Sequence, residues 1–102
     1  MKFGLPEETI QKICHLLESY PQLDEVKIYG SRAMGNYEKG SDIDLAFYAK
    51  TNKSLKGSLL TELDALSTPY LFDITDYYQT THVSLKEHID RAGKIFYINR
   101  RA

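Results

Sequence analysis

The spacing of apolar residues changes several times along the chain, and each change marks a new element. Ile10, Ile13, Leu16 and Leu17 fall at helical spacing, so residues 6 to 20 are expected to form a helix with one apolar stripe. Pro6 suits the first helical position, Glu7 and Glu8 suit the positive end of the helix dipole, and Pro21 stops the run. In residues 25 to 29 (EVKIY) the period drops to two, with Val26 and Ile28 on one side, which predicts a short strand ended by Gly30. Residues 30 to 40 (GSRAMGNYEKG) follow neither period and read as a loop with a short helical turn at its start. Residues 42 to 49 (DIDLAFYA) are the clearest strand. Leu55, Leu59, Leu63 and Leu66 keep helical register over residues 54 to 67, and Pro69 ends that segment. Residues 70 to 75 (YLFDIT) predict a third strand. Ser84 and Glu87 stand at capping-box spacing, so a third helix is expected from Ser84 to a C-terminal cap at Gly93. Residues 94 to 98 (KIFYI) predict a last strand. Strands separated by helices give an α/β (α+β) domain with a mixed β-sheet flanked by helices.

Composition narrows this picture without redirecting it. A length of 102 residues is expected to form a single domain, 1–102. The hydrophobic fraction of 42% and charged fraction of 26% are those of an ordinary globular protein. A net charge of -1 supplies no global field for a nucleic-acid backbone. The best local basic group is Arg91, Lys94, Arg100 and Arg101. The lone Cys14 excludes an internal disulfide. With no apolar leader after Met1, it points to a reducing, cytoplasmic compartment. No apolar run approaches the roughly 20 residues of a membrane span.

The candidate chemistry is carboxylate chemistry. Alternate strand residues share a face, so Asp42 and Asp44 point the same way, roughly 6 to 7 Å apart, while Ile43, Leu45 and Phe47 take the core side. Two such carboxylates repel unless a cation lies between them, and Mg²⁺ prefers oxygen ligands. On the next strand Phe72 and Ile74 take the buried face and Asp73 the other. Three carboxylates can hold two Mg²⁺ ions about 4 Å apart for in-line displacement at phosphorus, with Asp73 also able to accept a proton from the acceptor. Before this pair, Gly30 lets a phosphate approach the backbone, Ser31 offers a hydroxyl, and Arg32 offers a cation to a phosphate or to the acceptor.

Gly30-Ser31, ten residues, and then Asp42-Ile43-Asp44 resembles the signature of the DNA polymerase β-like nucleotidyltransferases. The stretch GSRAMGNYEKGSDIDLAFY is most similar to their minimal bacterial and archaeal members, and the likeness runs through FDITDY to KIFYINR. It implies a nucleotidyltransferase fold and the use of an NTP, with ATP expected. It puts Gly30 and Ser31 at the phosphates and makes Asp42, Asp44 and Asp73 the metal ligands. It further implies a small helical HEPN-type partner, often a ribonuclease toxin, that the transferase neutralises as an antitoxin by adding AMP. Many relatives carry a basic residue where Met34 stands, a role that Lys39 is available to fill.

Plainer readings accompany several of these residues. Asp76 reads as turn or strand-end solvation, Ser31 as a helix cap, and Arg32 equally as a structural ion-pair partner. His15 and His88 read as helix-surface residues, and Tyr77 and Tyr78 as packing rather than a border to a base. Asn36 and Tyr37 stand where a P-loop needs Lys and Ser/Thr, and no dinucleotide-binding glycine pattern occurs. Two alternatives stay open. One is a nucleotide-binding module that neutralises its partner by occlusion. The other is transfer to a small molecule such as an aminoglycoside. A homo-oligomer is compatible with either.

Overall fold

A computed structural model of the chain describes residues 2–51 and 53–100, and Arg101 of the basic C-terminal group lies outside them. The element order is α1 (Glu7–Glu18), β1 (Leu23–Tyr29), α2 (Gly30–Met34), β2 (Ile43–Ala49), α3 (Lys56–Asp64), β3 (Phe72–Asp76), α4 (Val83–Ala92) and β4 (Lys94–Ile98). The sheet runs β3-β2-β1-β4. Strand β1 is antiparallel to β2 and β4, whereas β2 and β3 are parallel, which gives the mixed sheet expected.

The central position of β2 explains its sequence. Ile43, Leu45 and Phe47 enter the main core with Val26 and Ile28 of β1, Ile13 and Leu17 of α1, and Leu59 and Leu63 of α3. The intervening Ala46 and Tyr48 bury against Ile89 of α4 and Tyr29 in a smaller cluster on the opposite face. Both faces of β2 are therefore covered, and its polar positions are confined to the end where α4 leaves the sheet open.

Local chemistry moves several boundaries. Pro6 is the N-cap rather than the first helical residue, because its extended ψ of 149° precedes the helix. Helix α3 is shorter than the leucine register suggests, although Leu66 still packs on the core from the turn beyond it. Asp42 lies immediately before β2, not within it. The Ser84–Glu87 capping box does not form. His82 is the N-cap, and its Nδ1 accepts from the Leu85 amide at 3.2 Å, so the helix starts at Val83 and Ser84 falls inside its first turn. Gly93 does close α4, but with φ -68° and no left-handed turn. What requires glycine there is room, since a Cβ would stand 2.5 Å from the Ile89 carbonyl oxygen. Among the described residues, no helix is long and apolar enough to cross a membrane.

Candidate active site

The site forms where β1, β2 and β3 lie side by side at one end of the sheet. Asp44 is paired in register with Tyr29 of β1 on one side and Asp73 of β3 on the other. Paired residues on neighbouring strands share a face, so the Asp44 and Asp73 carboxylates start from backbones about 5 Å apart. Asp42 stands two residues upstream, exposed at the entrance to β2. Gly30 follows Tyr29 directly and takes φ +72°, a conformation costly for any residue with a Cβ. A Cβ at Gly30 would also meet Asp44 Oδ2, so the backbone shape requires glycine and any side chain there would push the Asp44 carboxylate aside.

Electrostatics ties the three acids together. Burial, then the neighbouring charges of Asp73 and Asp42, push the Asp44 carboxyl up to about 6, against a smaller opposing pull from Arg32. A bound cation would reverse this balance. Among the described residues, no group of three His, Cys, Asp or Glu side chains converges closely enough to hold a metal unaided. An all-carboxylate set still suits Mg²⁺, which usually takes one or two protein carboxylates and completes its shell with water and substrate phosphates.

Asp44 and Asp73 open onto a cleft of about 530 Å³, whose lining does not include Asp42. Asp44, Asp73 and Thr75 line its sheet wall, Lys56 at the start of α3 lines another side, and His82 and Leu85 line the α4 side. Tyr29 and Thr75 share a buried hydroxyl hydrogen bond of 3.0 Å across β2, which fixes the wall beneath the acids.

The sequence matches the family model "Polymerase beta, Nucleotidyltransferase" over residues 11–102. The chain belongs to this family. None of the curated proteins matches the sequence. Solved structures share the fold. A toxin-antitoxin crystal structure with AMP-PNP aligns at TM-score 0.72 and 24% identity, covering 95% of this chain and 77% of the other. The toxin-antitoxin MntA-HepT crystal structure aligns at 0.68 and 21%, covering 94% and 75%. A tri-AMPylated Shewanella oneidensis HEPN toxin in complex with MNT antitoxin aligns at 0.69 and 21%, covering 93% and 74%.

Within this nucleotidyltransferase, the structure brings Gly30, Ser31, Asp42, Asp44 and Asp73 to one end of the sheet. Ser31 is the second residue of the short helix α2 and accepts the Gly35 amide through its carbonyl at 2.9 Å, while its hydroxyl makes no hydrogen bond among the described residues. Arg32 departs from expectation. Its side chain is only 2% exposed, and its guanidinium donates to the carbonyls of Ser41, Phe3 and Gly4. It faces into the protein rather than toward a phosphate, and among the described residues it forms no ion pair. Met34 is 57% exposed. The lysine that lines the cleft is Lys56, not Lys39.

His88 is also more than a surface residue. Its Nε2 accepts from the Gly30 amide at 3.3 Å, and its ring meets Tyr29 edge-on at 6.0 Å. The signal was present in the chain: His82, Leu85, His88 and Ile89 share one face of α4 by helical spacing. Their target was not visible, because Gly30 lies 58 residues away. Asp76 is the last residue of β3, its carbonyl accepts from Gln79 and Thr80 in the turn that follows, and it lines the cleft. Tyr77 stacks on Tyr48 at 4.6 Å and donates to Asp90 at 2.7 Å, so it packs away from the cleft.

Proposed function

We propose that this nucleotidyltransferase moves AMP from ATP to a hydroxyl of a small helical HEPN-type protein and so acts as its antitoxin. The observation that carries the chemistry is the register pairing of Asp44 with Asp73, with Asp42 at the entrance and Gly30 packed against Asp44. The partner is suggested by the solved relatives, which include an AMPylated HEPN toxin held by its antitoxin.

Asp42, Asp44 and Asp73 would hold Mg²⁺, two ions in the fullest arrangement, which when bound neutralises phosphate charge and acidifies the attacking hydroxyl. Gly30 and Ser31 receive the phosphates, Ser31 through its free hydroxyl. The acceptor oxygen bonds to the α-phosphorus, the bond from that phosphorus to the bridging oxygen breaks, and pyrophosphate leaves. Asp73, exposed on the edge strand, takes the proton lost by the acceptor. Lys56 is the cleft cation available to the departing charge. The lone Cys14 fits work in a reducing, cytoplasmic compartment.

The inward-facing Arg32 and exposed Met34 leave the loop without a cationic phosphate clamp, and this favours a second reading in which the chain binds nucleotide weakly and neutralises its partner by occlusion. One assay separates the two. The protein is incubated with Mg-ATP and the helical protein encoded beside its gene, and intact mass is measured. AMP adducts on the partner that vanish with Asp42→Asn/Asp44→Asn support transfer. A stable complex without adducts supports occlusion.

A further inference from the structure

We infer that Arg32 is a positioning residue for the Asp42 carboxylate, acting through the Ser41 carbonyl, and that the chain segment 2–5 is the other jaw of this clasp. The inference rests on the transferase reading for its catalytic consequence, but not for its geometry.

Arg32 Nε and Nη2 both donate to the Ser41 carbonyl oxygen, at 3.1 and 2.9 Å. Nη1 donates to the carbonyls of Phe3 and Gly4, at 3.0 and 3.3 Å. The Tyr37 and Tyr70 rings lie 5.2 and 5.0 Å from the guanidinium carbon. A buried cation held by carbonyl dipoles and ring faces, with no carboxylate ion pair among the described residues, is expensive to desolvate. Its geometry indicates what it secures. The peptide group is planar, so fixing the Ser41 oxygen fixes the amide that begins Asp42. On the far side of Asp42, the Ile43 amide donates to the Leu71 carbonyl at 2.9 Å. Asp42 is therefore held between two immobilised peptides, although it is exposed and lies outside the regular strand.

The second jaw is equally specific. Leu5 is fully buried, and its amide closes on the Lys2 carbonyl at 2.9 Å, which presents the Phe3 and Gly4 carbonyls inward. Gly4 sits at φ +70° against the Tyr37 ring. Only a planar fork with several donors can serve both jaws at once, so lysine cannot replace Arg32.

The test uses the full chain carrying Arg32→Lys, with Gly4→Ala as a second variant that strains the opposite jaw if the first does not fold. Three quantities are measured well below the melting temperature: amide hydrogen exchange at Ile43, Mn²⁺ binding with AMP-PNP by electron paramagnetic resonance, and kcat and KM for transfer. Exchange at this amide, which is bonded to the Leu71 carbonyl, is expected to quicken about tenfold or more, with the rest of β2 unchanged. Mn²⁺ affinity and kcat should fall by roughly 10- to 100-fold, the usual cost of losing support behind a metal ligand, while KM for ATP stays within about threefold. A raised KM with kcat intact would overturn the inference and return Arg32 to the phosphates. So would unchanged exchange at Ile43, whatever happens to Tm, because it would reduce Arg32 to packing. If the unaltered protein transfers nothing and binds no Mn²⁺, the transferase reading fails while the exchange measurement still judges the clasp.

Discussion

Asp44 shows at the residue scale how the site works against the fold. Its carboxyl is pushed from an ordinary 3.8 up to about 6 by burial and by two neighbouring acids. Between those values the folded chain holds a proton that the unfolded chain has released. Stability therefore falls as pH rises from about 4 to about 6, and the loss persists above that range. Asparagine keeps the shape and removes the charge. Metal-free Asp44→Asn is expected to melt above the unaltered protein at pH 7.5 in EDTA, with the gain shrinking as pH falls below about 6 and vanishing only below about 4. A lower Tm for the variant at pH 7.5 would show that the carboxylate is not under repulsion. The side of β2 that Asp44 takes was legible from the chain because period-two spacing sets it opposite Ile43 and Leu45, whereas Asp42 lies just outside the strand and is tied to Asp44 by the charge that helps raise the Asp44 carboxyl. Arg32 was not legible, since a long cation takes whatever acceptors the fold brings within reach, and Phe3 and Ser41 come from separate segments.

Elements were legible where one face dominates and less so where junctions are tight. The stripe of α1 and the alternation of β2 are local properties, so the spacing of their apolar residues located both. The ends of α4 depend on two contacts of different kinds, an imidazole cap at His82 and a close backbone approach at Gly93. With one residue between α4 and β4, the helix cannot shift to make room for a side chain at that junction. Gly93→Ala places a methyl group 2.5 Å from the Ile89 oxygen. Overpacking of this kind costs about 1–3 kcal/mol, so Tm should drop by at least about 5 °C. A thermal melt within one degree of the unaltered protein would mean that the junction relaxes freely.

For the whole molecule, the two faces of the sheet divide the work. The main core lies on the face covered by α1 and α3, and the acids lie on the face that α4 covers only in part. That partial cover is what leaves a cleft beside Asp44 and Asp73. If the cleft takes nucleotide with metal, ligand binding is linked to folding. Mg²⁺ with ATP at a hundredfold excess over Kd should add about 2.7 kcal/mol, a rise in Tm of roughly 10 °C for a domain of this size. Differential scanning fluorimetry would read it, and Asp42→Asn/Asp44→Asn should abolish it. No shift at millimolar ligand would count against a formed nucleotide site.

The amino-acid sequence by itself determined the succession of helices and strands, the side of β2 that Asp44 takes, and the outward side of Asp73, because each depends on residues a few positions apart. Only the tertiary structure decided that Asp73 stands beside Asp44, that Gly30 packs against the Asp44 carboxylate, that His88 reaches the Gly30 amide, and that Arg32 turns inward. Strand order, register and the meeting of distant segments are set by which apolar faces bury together, and that is a property of the whole packed chain rather than of any stretch within it.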